Sequence, residues 1–440
     1  MIRDMSVSHH NLANLTIEEH FFLQVLVDVA REEWEKFDNH ARYVQVLLLS
    51  QTRRQVSPFV YDRLRQLRKG PLLPALRELR IPPGYLGDLR CSFISLSDHL
   101  RLVELHNNCV SQPEFFLPFI PAVITEAPLL THLILHTQAD VNLERVSELK
   151  QLCKLDLRVP TWNLPNALIQ KLGQLESLSD LRVELGAGNP SRRKLQTIVA
   201  EQFPIMANAY PKLQTLLIRG SVVAITQIMR VMSFTSLSTL TLGFNTMSSW
   251  DEVFKTLARK ETHVSSVSLH SYLVQIHCEF DWISPLLQIH TLETLDIDTE
   301  SFSICDDEFF TLMSSLQNLR RLSLPSWFQS TTLTAQVLWQ PSKLAPRLEE
   351  LKISLYQSAP LSPFLPTINI SQRDAHLALR KLSISSAYRN MQDDDVIHLA
   401  RVLYQAFPNL EIVEGFGPNS PCECWRRVDT FRNALVREDD

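Results

Sequence analysis

The residues best equipped for chemistry in this chain are acidic and close together. Asp296, Asp298 and Glu300 alternate along an apolar, extended stretch, and Asp306, Asp307 and Glu308 follow. A hard cation wants about six to eight oxygens gathered into one cage. Alternation on a strand instead sets successive groups about 7 Å apart, and no glycine-turned loop folds the chain around an ion. The cluster therefore reads as a solvated acidic patch, able to attract a basic segment of a partner. His132 and His136, with Ile134 between them, read as a surface pair on one strand face. The other histidines are scattered, and no H-E-x-x-H is present. Cys422 and Cys424 form a lone C-x-C without a second pair at zinc spacing. There is no G-x-S-x-G elbow and no G-x-x-x-x-G-K-S/T loop, and only 10 glycines in all. Ser191-Arg-Arg-Lys194 is too short to hold nucleic acid. No catalytic residue, cofactor or metal is expected, and the chain does not read as an enzyme.

The elements that carry these residues are set by one recurring pattern: leucine, two residues, leucine, one residue, leucine. With Val and Ile allowed, it starts at Val44, Leu76, Leu102, Leu130, Leu152, Leu178, Leu213, Leu237, Val264, Leu292, Leu319, Leu348, Leu379 and Leu410. Asn107 and Gly415 interrupt the third apolar position of two of them. The gaps of 22 to 35 residues average about 28, near the period of leucine-rich repeats. Helices are expected between the strands, most clearly over 164–172, 194–207, 222–232, 306–316 and 394–406. Proline often precedes the next strand, as in Leu73-Pro74, Ala127-Pro128 and Tyr210-Pro211, and the residue before it favours an extended backbone. The ninth position, where asparagine often caps neighbouring backbone groups, holds asparagine only at Asn245, so the repeats are degenerate. The expected fold is an α/β leucine-rich-repeat solenoid, a horseshoe of irregular repeats with a parallel sheet on its concave face.

The expected boundaries are a disordered start over 1–15, an N-terminal capping helix region over 16–43, the solenoid over 44–417, and a C-terminal capping helix and tail over 418–440. Thr16 with Glu19 opens the first helix as a capping box. Phe22, Val25, Leu26, Val29, Ala30, Trp34 and Phe37 form its apolar stripe. Trp425, Val428, Phe431 and Leu435 form that of the last helix, which covers the open end of the stack.

Strand alternation sends the leucines into the core and the intervening residues to the inner face. That face should present Lys154, Asp156 and Arg158; Asp180, Arg182 and Glu184; Thr215, Leu217 and Arg219; Thr239 and Thr241; Ser266, Ser268 and His270; Thr294, Asp296 and Asp298; Arg321 and Ser323; Glu350 and Lys352; Lys381 and Ser383. The residues expected to hold a protein ligand there are Arg158, Asp180, Arg182, Arg219, His270, Asp296, Asp298, Arg321 and Lys352, since arginines recur at the energetic centres of interfaces. A net charge of −5 argues against a nucleic-acid surface. The longest apolar run of the N-terminal region, Phe21 to Ala30, contains Asp28 and is too short to span a bilayer. Without a signal peptide, and with seven cysteines in mostly apolar surroundings, the chain reads as intracellular.

The stretch Glu33-Trp-Glu-Lys-Phe37, followed by Ala41-Arg-Tyr-Val44, Gln55-Val-Ser-Pro58 and Leu72-Leu-Pro-Ala-Leu-Arg-Glu-Leu79, resembles the segment after the F-box in the mushroom-type (basidiomycete) fungal F-box/leucine-rich-repeat proteins. The resemblance runs over roughly residues 31 to 435. It implies that the repeats capture a substrate for a Skp/cullin/F-box ubiquitin ligase, with a Skp-type adaptor as second partner. This sequence departs from the family pattern in having no Leu-Pro-x-Glu followed by an apolar helix. A stand-alone interaction scaffold is the alternative expectation.

Overall fold

The computed structural model describes residues 31–49, 64, 66–67, 70–83, 91–106, 113–137, 143–160, 164–186, 209–246, 248–260, 263–271, 277–325, 332–338, 344–356, 378–385, 393–416 and 422–439. The expected capping box at Thr16, the apolar stripe through Ala30, the Gln55–Pro58 motif, the Ser191–Lys194 run and the helix over 194–207 lie outside them. The chain forms two compact units. The first comprises residues 1–214 with 231–233, the second residues 215–230 with 234–440.

In the first unit, six strands pair in chain order, all parallel: β1 (Val46–Leu48), β2 (Glu78–Ile81), β3 (Leu102–His106), β4 (His132–His136), β5 (Lys154–Val159) and β6 (Asp180–Leu185). In the second unit, eight strands do the same: β7 (Thr215–Gly220), β8 (Thr239–Phe244), β9 (Ser266–Ser271), β11 (Thr294–Asp298), β13 (Arg321–Leu324), β14 (Glu350–Ser354), β15 (Lys381–Ser385) and β16 (Ile412–Gly415). A separate parallel pair, β10 (His277–Glu279) with β12 (Ser301–Ser303), has no counterpart in the repeat pattern.

Among the described residues, the same turn recurs at the start of the repeats. The amide of the first leucine bonds to the carbonyl three residues back, as in Leu76 to Leu73, Leu130 to Ala127, Leu178 to Leu175, Leu319 to Leu316 and Leu410 to Phe407. The next strand then enters through one shared carbonyl: Thr131 and His132 both donate to Arg101 O, Cys153 and Lys154 to Thr131 O, Glu349 and Glu350 to Arg320 O. The later apolar positions of each strand are buried, for example Leu155 and Leu157 on β5 or Leu295 and Ile297 on β11. Burying such side chains contributes roughly 1.5–3 kcal/mol each, and the stacked leucines make a continuous core in each unit. This is an α/β leucine-rich-repeat solenoid.

The third repeat starts two residues earlier than the sequence pattern suggests. Leu100 N donates to Ser97 O, Leu100 and Val103 are fully buried, and Val103 pairs with Leu79. Leu102 is the half-buried residue on the other face. Leu100, Val103 and Leu105 complete the repeat, so Asn107 interrupts nothing.

The helical layer is irregular. The intervals carry α-helices at Pro113–Glu126, Asn166–Leu172, Val222–Val231, Asp251–Ala258, Asp306–Ser315 and Asp393–Ala406, a single α-turn Phe280–Ile283 running into a 3-10 turn at Ser284–Gln288, and further 3-10 turns at Glu144–Glu148 and Ala335–Leu338. Tyr210 departs from the extended backbone expected before proline. Its φ is 60°, its hydroxyl donates to Ile169 O at 2.5 Å, and its amide donates to Gly173 O. The buried ring lies against Gly173, where an added Cβ would meet Ala209 Cβ at 2.9 Å and Tyr210 Cε2 at 3.1 Å. These bonds outweigh the steric preference of a residue before proline. Asn245 does not form the expected cap through its carbonyl oxygen: Oδ1 is buried and accepts no hydrogen bond from the protein.

At the ends, the helix Arg31–Ala41 buries Ala41, leaves Trp34 half-buried and leaves Phe37 40% exposed. Phe37 is thus not part of a buried stripe. The helix Cys422–Asp439 buries Cys424, Trp425, Val428 and Arg432, while Phe431 is exposed. Arg432 lies over the last strand, donating to Leu410 O and Glu411 O as well as to Asp429. Among the described residues, no helix is long and apolar enough to cross a membrane.

Candidate protein-binding face

Alternation along each strand leaves one face of each sheet to polar side chains. In the first unit the burial of β3 to β6 runs half-exposed, buried, half-exposed. The register then lines up three rows. One row is Glu78, Leu102, His132, Lys154 and Asp180; the next is Arg80, Glu104, Ile134, Asp156 and Arg182. The third holds His106, His136, Arg158 and Glu184. Arg158, Asp180 and Arg182 therefore share one surface, as the alternation requires.

These groups are knit together across strands. Arg158 Nη2 donates to Glu184 Oε2 at 2.6 Å, and Lys154 Nζ stands 3.5 Å from Asp180. Arg182 reaches back along its own strand to Asp180 at 3.3 Å. Arg80 pairs with Glu78 at 2.8 Å and lies 3.6 Å from Glu104. Such exposed pairs are each worth little to stability, typically about 0–1 kcal/mol. Their effect is to fix the positions of alternating charges.

On the second unit, Arg219 lies half-buried on β7. His270 and Asp298 are cross-strand neighbours, with Nδ1 and Oδ2 3.6 Å apart. Asp296 sits between Ser268 and Ser323 in its row, and Arg321 pairs with Glu350 at 3.5 Å. Lys352 holds its ammonium 4.7 Å from the Phe416 ring centroid, a cation–π geometry. Ser323 is buried between Asp296 and Lys352, and Ser383 between Lys352 and Glu414. Glu414, which sequence reasoning missed, accepts from Lys381 Nζ at 2.9 Å and from Ser383 Oγ at 2.8 Å. The Lys381 hydrogen bond holds its carboxyl below the usual carboxylate range, against the smaller opposing effect of burial.

The acidic run does not gather into one patch. Asp296 and Asp298 face the same way on β11, but Asp306, Asp307 and Glu308 form the first turn of the helix Asp306–Ser315. There Asp306 accepts from Thr334 N at 2.8 Å and Thr334 Oγ1 at 2.6 Å, and Glu308 caps Cys305 N at 2.8 Å. These carboxylates serve the helix start, where negative charge is favoured. Among the described residues, no three His, Cys, Asp or Glu side chains converge to hold a metal ion.

Glu104 and His106 also escaped sequence reasoning. They flank Leu105 as Asp156 and Arg158 flank Leu157, so the same alternation places them once the repeat is started at Leu100; starting it at Leu102 hid them. His136 meets His106 across the strands rather than forming a pair with His132.

No protein-family model matches the chain, and no curated protein matches it. Several solved structures do. An internalin from Listeria monocytogenes is 13% identical, with 84% of this chain and 93% of that chain covered and a TM-score of 0.43. A leucine-rich-repeat protein from Leptospira interrogans is 16% identical, with 90% and 89% covered and a TM-score of 0.42. A protein from Bacteroides fragilis is 14% identical, with 60% and 68% covered and a TM-score of 0.32. Superpositions this loose carry no weight for function; the fold stands on the strand register described above.

Proposed function

We propose that the chain is a protein-binding module that takes its partner on the polar sheet face. The observation that supports this most is the in-register lattice of charged and hydroxyl side chains on adjacent strands. Parallel strands lie about 4.8 Å apart, so eight strands offer a row roughly 34 Å long, enough for a folded surface or an extended segment. Alternating charges on such a row steer association and fix register more than they add affinity. No G-x-x-x-x-G-K-S/T or G-x-S-x-G motif in the sequence competes with this reading.

The finer proposal follows the resemblance of the 33–79 stretch: the repeats serve as the substrate-recognition part of an F-box subunit in a Skp/cullin/F-box ubiquitin ligase. The competing reading is a scaffold with no ligase role.

One experiment separates them. Partners are captured from native extract with the wild-type chain, with a face variant (Arg158→Glu with Arg182→Glu), and with a control variant on the helical layer (Arg145→Glu). Partners lost only with the face variant support binding through the sheet; partners unchanged by it refute that. Gel filtration with a purified Skp-type adaptor then decides the ligase role. Co-elution supports it, and elution as separate species at micromolar concentration leaves the scaffold.

A further inference from the structure

His106 and His136 meet on the open face of the first unit in an arrangement that calls for a cation. Their Nδ1 atoms are 2.8 Å apart, with ring centroids at 4.4 Å and planes at 82°. The opposite nitrogen of each ring faces a carboxylate: His106 Nε2 meets Glu104 Oε1, and His136 Nε2 stands 3.3 Å from Asp156 Oδ1. A carboxylate is satisfied only by an N–H there, so both rings carry hydrogen at Nε2, the tautomer being assigned from its partner. A neutral imidazole then keeps a lone pair at Nδ1. Two lone pairs pointed at each other at this distance repel unless a proton or a metal ion stands between them.

We propose that His106 and His136 form an open binding site for a late first-row divalent cation, ligated through the two Nδ1 atoms. Imidazole suits zinc, nickel and copper. A ligand histidine usually donates its other N–H to a carboxylate, which orients the ring and raises its basicity; Glu104 and Asp156 are placed for that role. Two nitrogens bound to a tetrahedral zinc at ~2.05 Å lie roughly 3.3 Å apart, so the rings need to separate by only about 0.5 Å. The neighbouring cations are turned to other partners: Arg158 to Glu184, and Arg80 to Glu78 as well as Glu104. The two histidine side chains are 20% and 18% exposed, which leaves the remaining coordination positions open to water.

The test uses the untagged full-length chain, stripped with a chelator and titrated with zinc by calorimetry at neutral pH. Circular dichroism checks that each variant is folded. Binding of one zinc is expected, weakened at least tenfold in His106→Gln and in His136→Gln. Asp156→Asn is expected to weaken it roughly ten- to a hundredfold through the second-layer contact. His132→Gln should leave it unchanged, because that ring faces Thr131 Oγ1 at 2.9 Å instead. Absence of binding up to millimolar zinc overturns the site and leaves a shared proton between the rings. Equal binding by wild type, His106→Gln and His136→Gln also overturns it, since the zinc then sits elsewhere.

Discussion

Lys260 shows how burial of a single side chain writes itself into the pH dependence of the fold. Its ammonium lies 4.8 Å from the Phe234 ring centroid and donates to Arg230 O at 3.3 Å. Burial lowers its pKa from 10.5 to about 8. Between those two values the unfolded chain holds a proton that the folded chain has released. Stability therefore rises with pH across that window, because the unfolded state binds more protons. Urea titrations of the wild type at pH 8 and pH 10 should show this gain on top of whatever the other groups contribute. Lys260→Met should lack this part of the slope; identical pH dependence in the two proteins would mean that the lysine is charged in the fold. Nothing in the sequence around Lys260 announces this. Its burial arises only when the chain packs, and that burial is what lowers the pKa.

The C-terminal helix shows what hydrophobic spacing can and cannot read within one element. Its existence and its role at the edge of the last strand follow from Trp425 and Val428, three residues apart on one face. The continuation of that stripe does not: Phe431 is 39% exposed, and the buried neighbour is Arg432, 2% exposed. Apolar pattern cannot anticipate a buried arginine, because the reason for it is a pair of backbone carbonyls just before β16, Leu410 O and Glu411 O. Buried carbonyls need donors, and Arg432 supplies them to these two in the turn that leads into the strand. Arg432→Leu keeps the apolar bulk and removes the donors. Each carbonyl left unsatisfied costs about 1–3 kcal/mol, so a loss of roughly 2–5 kcal/mol is expected from urea unfolding. A loss below ~1 kcal/mol would show that the helix docks through Trp425 and Val428 alone. Trp425→Ala should also be damaging, by about 3–5 kcal/mol for a large core aromatic.

At the scale of the whole molecule, the period is readable because it is imposed by the core. Every repeat must put its apolar residues at the same heights as its neighbours, and Leu155, Leu181, Leu295, Leu322 and Leu351 do so in register. The start of the third repeat is hidden because a leucine, Leu102, also stands on the open face there. The helical layer is less readable, since it needs only to cover the leucines, and a 3-10 turn at Glu144–Glu148 does this as well as a longer helix. The open face is legible as positions but not as contacts: alternation puts Arg158 and Glu184 on it, while their pairing depends on strand register. The same stacking makes a prediction about energetics. In a solenoid each repeat touches only its neighbours. Leu240 on β8 and Leu382 on β15 lie five strand steps apart in the second unit, roughly 24 Å. Each replaced by Ala should cost about 2–5 kcal/mol, and the double variant should equal the sum within about 0.5 kcal/mol. Leu240 and Val267, paired directly in the register of β8 and β9, share a wall of the core, so their double variant should deviate from additivity by more. A coupling between Leu240 and Leu382 as large as that between Leu240 and Val267 would mean that the second unit unfolds through contacts that a one-dimensional stack does not have.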